Sequence, residues 1–66
     1  MKEFNYVNGL GYPKKIVVYE KNEEGLYPVV LWDMTHGEFC GSAQMSAQEI
    51  RDYLLHYHVD ETFEEE

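Results

Sequence analysis

Apolar residues recur along the chain with two different periods, and the change of period falls near residue 46. Upstream lie three short runs rich in β-branched and aromatic residues: "PKKIVVYEK" (13–21), "LYPVVLWDM" (26–34) and "EFCGSAQ" (38–44). The turn clusters "NEEG" and "THGE" separate them, which predicts three antiparallel strands in sequence order, a meander over 13–44. Gly41 is expected to weaken or bulge the third strand. Pro28, lacking a donor, is expected to face solvent or to mark an irregular start of the second.

Downstream, "MSAQEI" carries both parts of a helix start. Ser46 at N-cap with Glu49 at N3 forms a capping box, and Met45 can staple onto Ile50, so the helix is expected to begin at Ala47. Ile50, Tyr53, Leu54 and Tyr57 then recur at i, i+3, i+4, i+7 and build one apolar stripe, with the helix ending near His58 or Val59. Residues 1–12, with Phe4, Tyr6, Val7 and Leu10 around "NGLG", are expected either to add an edge strand or to cover the sheet. The predicted fold is α+β: a small antiparallel three- or four-stranded β-meander with one C-terminal helix on one face. It forms a single domain over 1–66, its helix spanning 46–59 and an acidic tail spanning 60–66.

Two features exceed the needs of that minimal fold. Leu55 and Val59 lie away from the helix stripe, so either Phe63 folds back onto them or they form a contact patch. In the second strand Tyr27, Val29 and Leu31 point one way while Val30, Trp32 and Met34 point the other, leaving both faces apolar. One helix covers only one face. Either residues 1–12 cover the second, or aromatics such as Tyr19 and Trp32 stay accessible as interface anchors.

Composition narrows the functional classes. At 66 residues the core is small, and the 44% hydrophobic content is too apolar for a disordered chain. One cysteine, Cys40, allows no internal disulfide, and the N-terminus shows no apolar signal segment, so a cytoplasmic location without membrane insertion is expected. Formal net charge is −8. Residues 1–21 hold four Lys and two Glu, whereas residues 22–66 hold only Arg51 against eleven acids. Such a field repels phosphate backbones, which excludes direct nucleic-acid binding and favours a basic protein surface as partner.

Candidate chemistry is sparse. His36, Glu38 and Cys40 would share one face of a regular strand, so a Cys/His pair is conceivable there, but a small meander offers little concavity for catalysis. His56 and His58 are roughly 200° apart on a helix; His56 with Asp60 is the better-spaced pair, yet the histidines fit a helix C-terminus better than a metal site. The glycines follow no phosphate-binding pattern. Neither an enzyme, a cofactor nor a metal is expected.

The acids themselves are the remaining signal: Glu20, Glu23 and Glu24 at the first predicted turn, Asp33, Glu38, then Glu49, Asp52, Asp60, Glu61 and Glu64 to Glu66. Carboxylates along a helix and its tail can take the places of phosphates in a basic groove, with an apolar patch adding contacts. In size, charge and fold class the chain resembles the DNA-mimic inhibitors that bacteriophages encode, including uracil-DNA glycosylase inhibitors, anti-restriction proteins and anti-CRISPR proteins. The resemblance is one of kind and carries no motif. It implies stoichiometric inhibition of a nucleic-acid-handling protein in a host cytoplasm, with Glu49, Asp52, Leu55, His56, Val59, Asp60, Glu61, Trp32 and Phe63 as the partner-binding set. The alternative is a small homodimeric structural or regulatory module whose second sheet face is its dimer interface.

Overall fold

The computed structural model describes residues 1–64. Four strands, β1 (Lys2–Val7), β2 (Pro13–Val18), β3 (Tyr27–Asp33) and β4 (Glu38–Met45), precede one helix, α1 (Ala47–His56). The strands form one antiparallel sheet in the order β1-β2-β3-β4, so the predicted meander has four members and the N-terminal segment is an edge strand.

Two of the three hairpin turns are the same device built twice. In Asn8–Tyr12 and again in Asn22–Leu26, the asparagine Oδ1 accepts the N–H groups two and four residues on, at 2.9–3.0 Å. The asparagine N–H and carbonyl also close the loop, with Gly11 and Gly25 at φ +85° and +81°. Only glycine takes that backbone cheaply, so the spacing Asn-x-x-Gly-x fixes both turns. The third turn substitutes Asp33, whose carboxylate accepts the Thr35 N–H at 2.9 Å.

Register divides the sheet into two faces. Phe4 pairs with Ile16, Val18 with Val29 and Tyr27 with Met45, and these side chains face the helix. Phe4, Ile16, Val18, Tyr27 and Val29 join Ala47, Ile50 and Leu54 in one buried cluster. At about 25 cal/mol per Å² of apolar surface, this cluster is the main stabilising term. Pro28 stands one residue into β3, and its carbonyl accepts the Tyr19 N–H at 2.9 Å. A strand residue's N–H and carbonyl point to the same neighbour, so the missing donor falls where β2 ends. A register shift opposite Leu31 and Trp32 leaves Cys40 without a pairing partner beside Gly41, the bulge the sequence foreshadowed.

Helix α1 starts as predicted. The Ser46 Oγ accepts the Glu49 N–H at 3.2 Å and the Glu49 Oε1 accepts the Ser46 N–H at 3.0 Å. It ends earlier than predicted, at His56, because Tyr57 is the C-cap and His58 takes φ +57°. His58 N–H then bonds the Leu55 carbonyl at 3.1 Å and Val59 N–H the Leu54 carbonyl at 2.9 Å. This is a Schellman closure with histidine in the position that glycine usually holds. It turns the chain back over the sheet, and Phe63 enters the core at 3% exposure, its ring edge-on to Tyr27 with centroids 5.0 Å apart.

Candidate protein-binding surfaces

The residues expected to contact a partner fall on two sides of the molecule rather than one. On the helix side, Glu49, Asp52, Leu55 and His56 are exposed on α1, and Asp60 and Glu61 follow in the return segment. Leu55 is 71% exposed among these acids. Arg51, Leu55, Val59, Asp60 and Glu61 line a shallow groove whose floor includes Leu54 and Phe63. Two carboxylates there already have internal work: Glu49 closes the capping box, and the Asp52 Oδ1 accepts from Gln48 Nε2 at 2.9 Å.

Of the two roles expected for Phe63, it takes the fold-back beneath Leu55 and Val59 and not the partner-binding one. It is a core residue, so it shapes the groove from beneath and offers no surface to a partner. Val59 is likewise drawn inward, packing against the same core, which leaves Leu55 as the projecting apolar side chain of that pair. Neither outcome is visible in helix periodicity, because the Schellman turn at His58 redirects the chain before residue 59.

Trp32 belongs to the opposite side. The second sheet face carries Val7, Val17, Val30, Trp32 and Phe39, aligned by the pairs Val17 with Val30 and Trp32 with Phe39. Phe39 is 60% exposed and packs edge-on to Trp32 at 6.1 Å. Val17 is only 3% exposed yet lies outside the helix-side core, so its own neighbours shield it. With residues 1–7 engaged at the sheet edge, they do not cover this face. Its charged members, Lys15 and Glu3, pair with each other at 3.3 Å.

Most of the described carboxylates are exposed and make no ion pair within 4.0 Å. Among the described residues, ion pairs reach only Glu3, held by Lys15, and Asp33, approached by Lys14 and His36. The Thr35 backbone N–H, then His36 and Lys14, hold Asp33 below the usual carboxylate range. Glu20, Glu23 and Glu24 crowd the β2–β3 turn, and Glu64 lies at the same end, where Lys2 Nζ donates to its carbonyl at 2.9 Å. Glu65 and Glu66, the rest of the expected acidic tail, lie outside the described residues.

The catalytic alternative loses its geometry. His36 lies in the turn before β4 and faces Asp33, while the exposed Cys40 thiol sits 3.8 Å from its own strand's Glu38 carbonyl. Because β4 begins only at Glu38, His36 stands outside the strand alternation that would have aligned it with Cys40. Three or more His, Cys, Asp or Glu side chains placed to hold a metal do not occur among the described residues. Among the described residues no helix is long and apolar enough to cross a membrane. Sequence reasoning did not find the tyrosine cluster between β1 and α1: the Tyr6 ring lies tilted against Tyr57 at 4.5 Å and meets Tyr53 edge-on at 5.6 Å, and the Tyr6 and Tyr53 hydroxyls hydrogen-bond. Burial, reinforced for Tyr53 by that hydroxyl contact, raises both phenols above their ordinary range.

Comparison with known proteins finds no matching family model, no matching curated protein and no matching solved structure.

Proposed function

We propose that this chain is a small non-enzymatic inhibitor or regulator that binds the basic surface of a nucleic-acid-handling protein and occupies it in place of nucleic acid. The observation that carries the reading is the unneutralised display of carboxylates. A net charge of −8 sits on a compact 66-residue body, and the ion pairs consume only two of the described acids. That magnitude alone is within the range of about 2–8 that serves solubility in a small domain, so the weight falls on the segregation of sign: residues 22–66 carry eleven acids against the single Arg51. Asp52, Asp60 and Glu61 flank Leu55, which supplies an apolar contact that a nucleic acid would not make. Opposite fields steer the encounter and the desolvated Leu55 slows dissociation.

The test is capture of proteins from a bacterial lysate on the immobilised domain, challenged with competing duplex DNA. The expected result is stoichiometric retention of one nucleic-acid enzyme, displaced by DNA. A variant combining Asp52→Lys, Asp60→Lys and Glu61→Lys should lower its retention at least roughly tenfold. Retention that ignores both the DNA and the charge reversal defeats the reading.

A further inference from the structure

Helix α1 and the segment that returns over the sheet leave a groove of about 190 Å³ between them. Its floor is apolar, made by Leu54 at 2% exposure and Phe63 at 3%, and its walls are Val59 and the largely exposed Leu55. An apolar cavity of roughly 150 Å³ takes a group the size of benzene, so this groove holds one side chain of leucine, methionine or phenylalanine size.

The rim selects what that side chain is attached to. Asp60 and Glu61 stand on it, and Asp52 lies one turn before Leu55 on the exposed flank of α1. None of these three carboxylates joins an ion pair among the described residues. The cation at the rim, Arg51, donates to the Gln48 Oε1 at 3.4 Å. An acidic chain is repelled by this rim and a neutral one gains nothing from it, whereas cations on either side of the inserted group meet opposite charge.

We propose that the groove receives one apolar side chain presented by a basic segment of the partner protein, with lysines or arginines beside it set against Asp52, Asp60 and Glu61. This rests on the reading of the partner as a basic nucleic-acid-binding surface and adds the point of insertion: Leu55 is one wall of a pocket, not the whole apolar contact. Insertion also supplies specificity. Every basic surface attracts carboxylates, but only one with an apolar side chain between its cations fills the groove.

The experiment titrates three end-blocked peptides, KKLKK, KKAKK and SSLSS, into the isotope-labelled chain at about 0.02 M NaCl, where exposed charges are weakly screened, and follows binding by nuclear magnetic resonance. KKLKK should bind at least about fivefold more tightly than either of the others, with the largest shifts at the Leu54, Leu55 and Val59 methyls. Leu55→Ala removes an exposed side chain, so the fold persists, and should bring KKLKK to within about twofold of KKAKK. Phe39→Ala on the far face of the sheet should preserve the preference. Equal binding of KKLKK and KKAKK overturns the insertion but leaves the acidic-surface reading standing, since both peptides carry the same charge. Equal binding of KKLKK and SSLSS overturns the basic flanks and makes the groove a plain apolar site. Failure of all three to bind, shifts centred away from the groove, or a leucine preference that survives Leu55→Ala also overturns the proposal.

Discussion

Phe63 lies seven residues beyond the last residue of α1, in a stretch whose composition suggests a solvated tail, yet it is 3% exposed. Replacing it with alanine removes a ring that packs edge-on to Tyr27 at 5.0 Å and lies 5.2 Å beneath the Lys2 ammonium. Truncating a buried Phe costs about 3–5 kcal/mol. Part is recovered, because residues 60–64 regain backbone freedom once the anchor is gone. The net cost is therefore about 2–4 kcal/mol, against a total stability of roughly 3–10 kcal/mol for a chain of this length. Thermal unfolding followed by circular dichroism should show the midpoint falling by at least about 8 °C, given about 4–8 °C per kcal/mol for domains of this size. Phe63→Leu should cost only about 1–2 kcal/mol by keeping most of the volume. Deleting residues 64–66 should change stability by no more than about 0.5 kcal/mol. A Phe63→Ala protein within about 0.5 kcal/mol of the parent would refute the claim that the return segment is part of the core.

Two further perturbations probe the helix end and the tyrosine cluster. His58→Gly relieves a non-glycine residue at φ +57°; urea titration should show a gain of about 0.5–1 kcal/mol, and a loss would mean that the histidine side chain contributes more than its backbone costs. Tyr53 has its phenol raised above its ordinary value of 10.0 by burial and by the Tyr6 hydroxyl contact. The unfolded chain therefore ionises first, so the stability this residue contributes is fully present below about pH 10 and is lost as pH rises beyond it. Unfolding midpoints measured from pH 8 to 11.5 should fall more steeply in the parent than in Tyr53→Phe; equal slopes would show that Tyr53 is not the group responsible.

Local signals in the sequence located the elements well where one short segment sufficed to define them. Ser46 and Glu49 announce the start of α1 because both halves of the capping box lie within four residues. Gly41 announces the bulge because a strand glycine has few other uses. The Asn-x-x-Gly-x spacing, present at Asn8 and again at Asn22, would have assigned β1 and β2 to a hairpin directly, but the two turns differ in their remaining residues and the recurrence is easily passed over. Phe63 and the early helix stop were not legible in the same way. Histidine enters the left-handed backbone more readily than most non-glycine residues but still only occasionally, so nothing local announces it at residue 58, where hydrogen bonds to Leu54 and Leu55 hold it. Once that turn is made, Phe63 reaches Tyr27 across 35 intervening positions, a contact no periodicity encodes. The expected partner set was therefore divided: Trp32 belongs to the sheet face, Phe63 to the core, and the acids with Leu55 to the helix side.

That division ties the proposed partner contact to the acidic helix side and gives it a definite response to salt. Binding of that side to a basic groove is attraction between unlike charges, so it weakens as ionic strength rises and the Debye length shrinks from about 30 Å at 0.01 M to about 10 Å at 0.1 M. Leu55, 71% exposed among the acids, contributes an apolar contact that salt does not screen, so the affinity should fall over this range to a residual level and not to zero. Partner binding measured at about 0.01 and 0.1 M NaCl checks this; an affinity that did not change with salt would mean that the carboxylates make no attractive contact, and the reading built on them would be wrong.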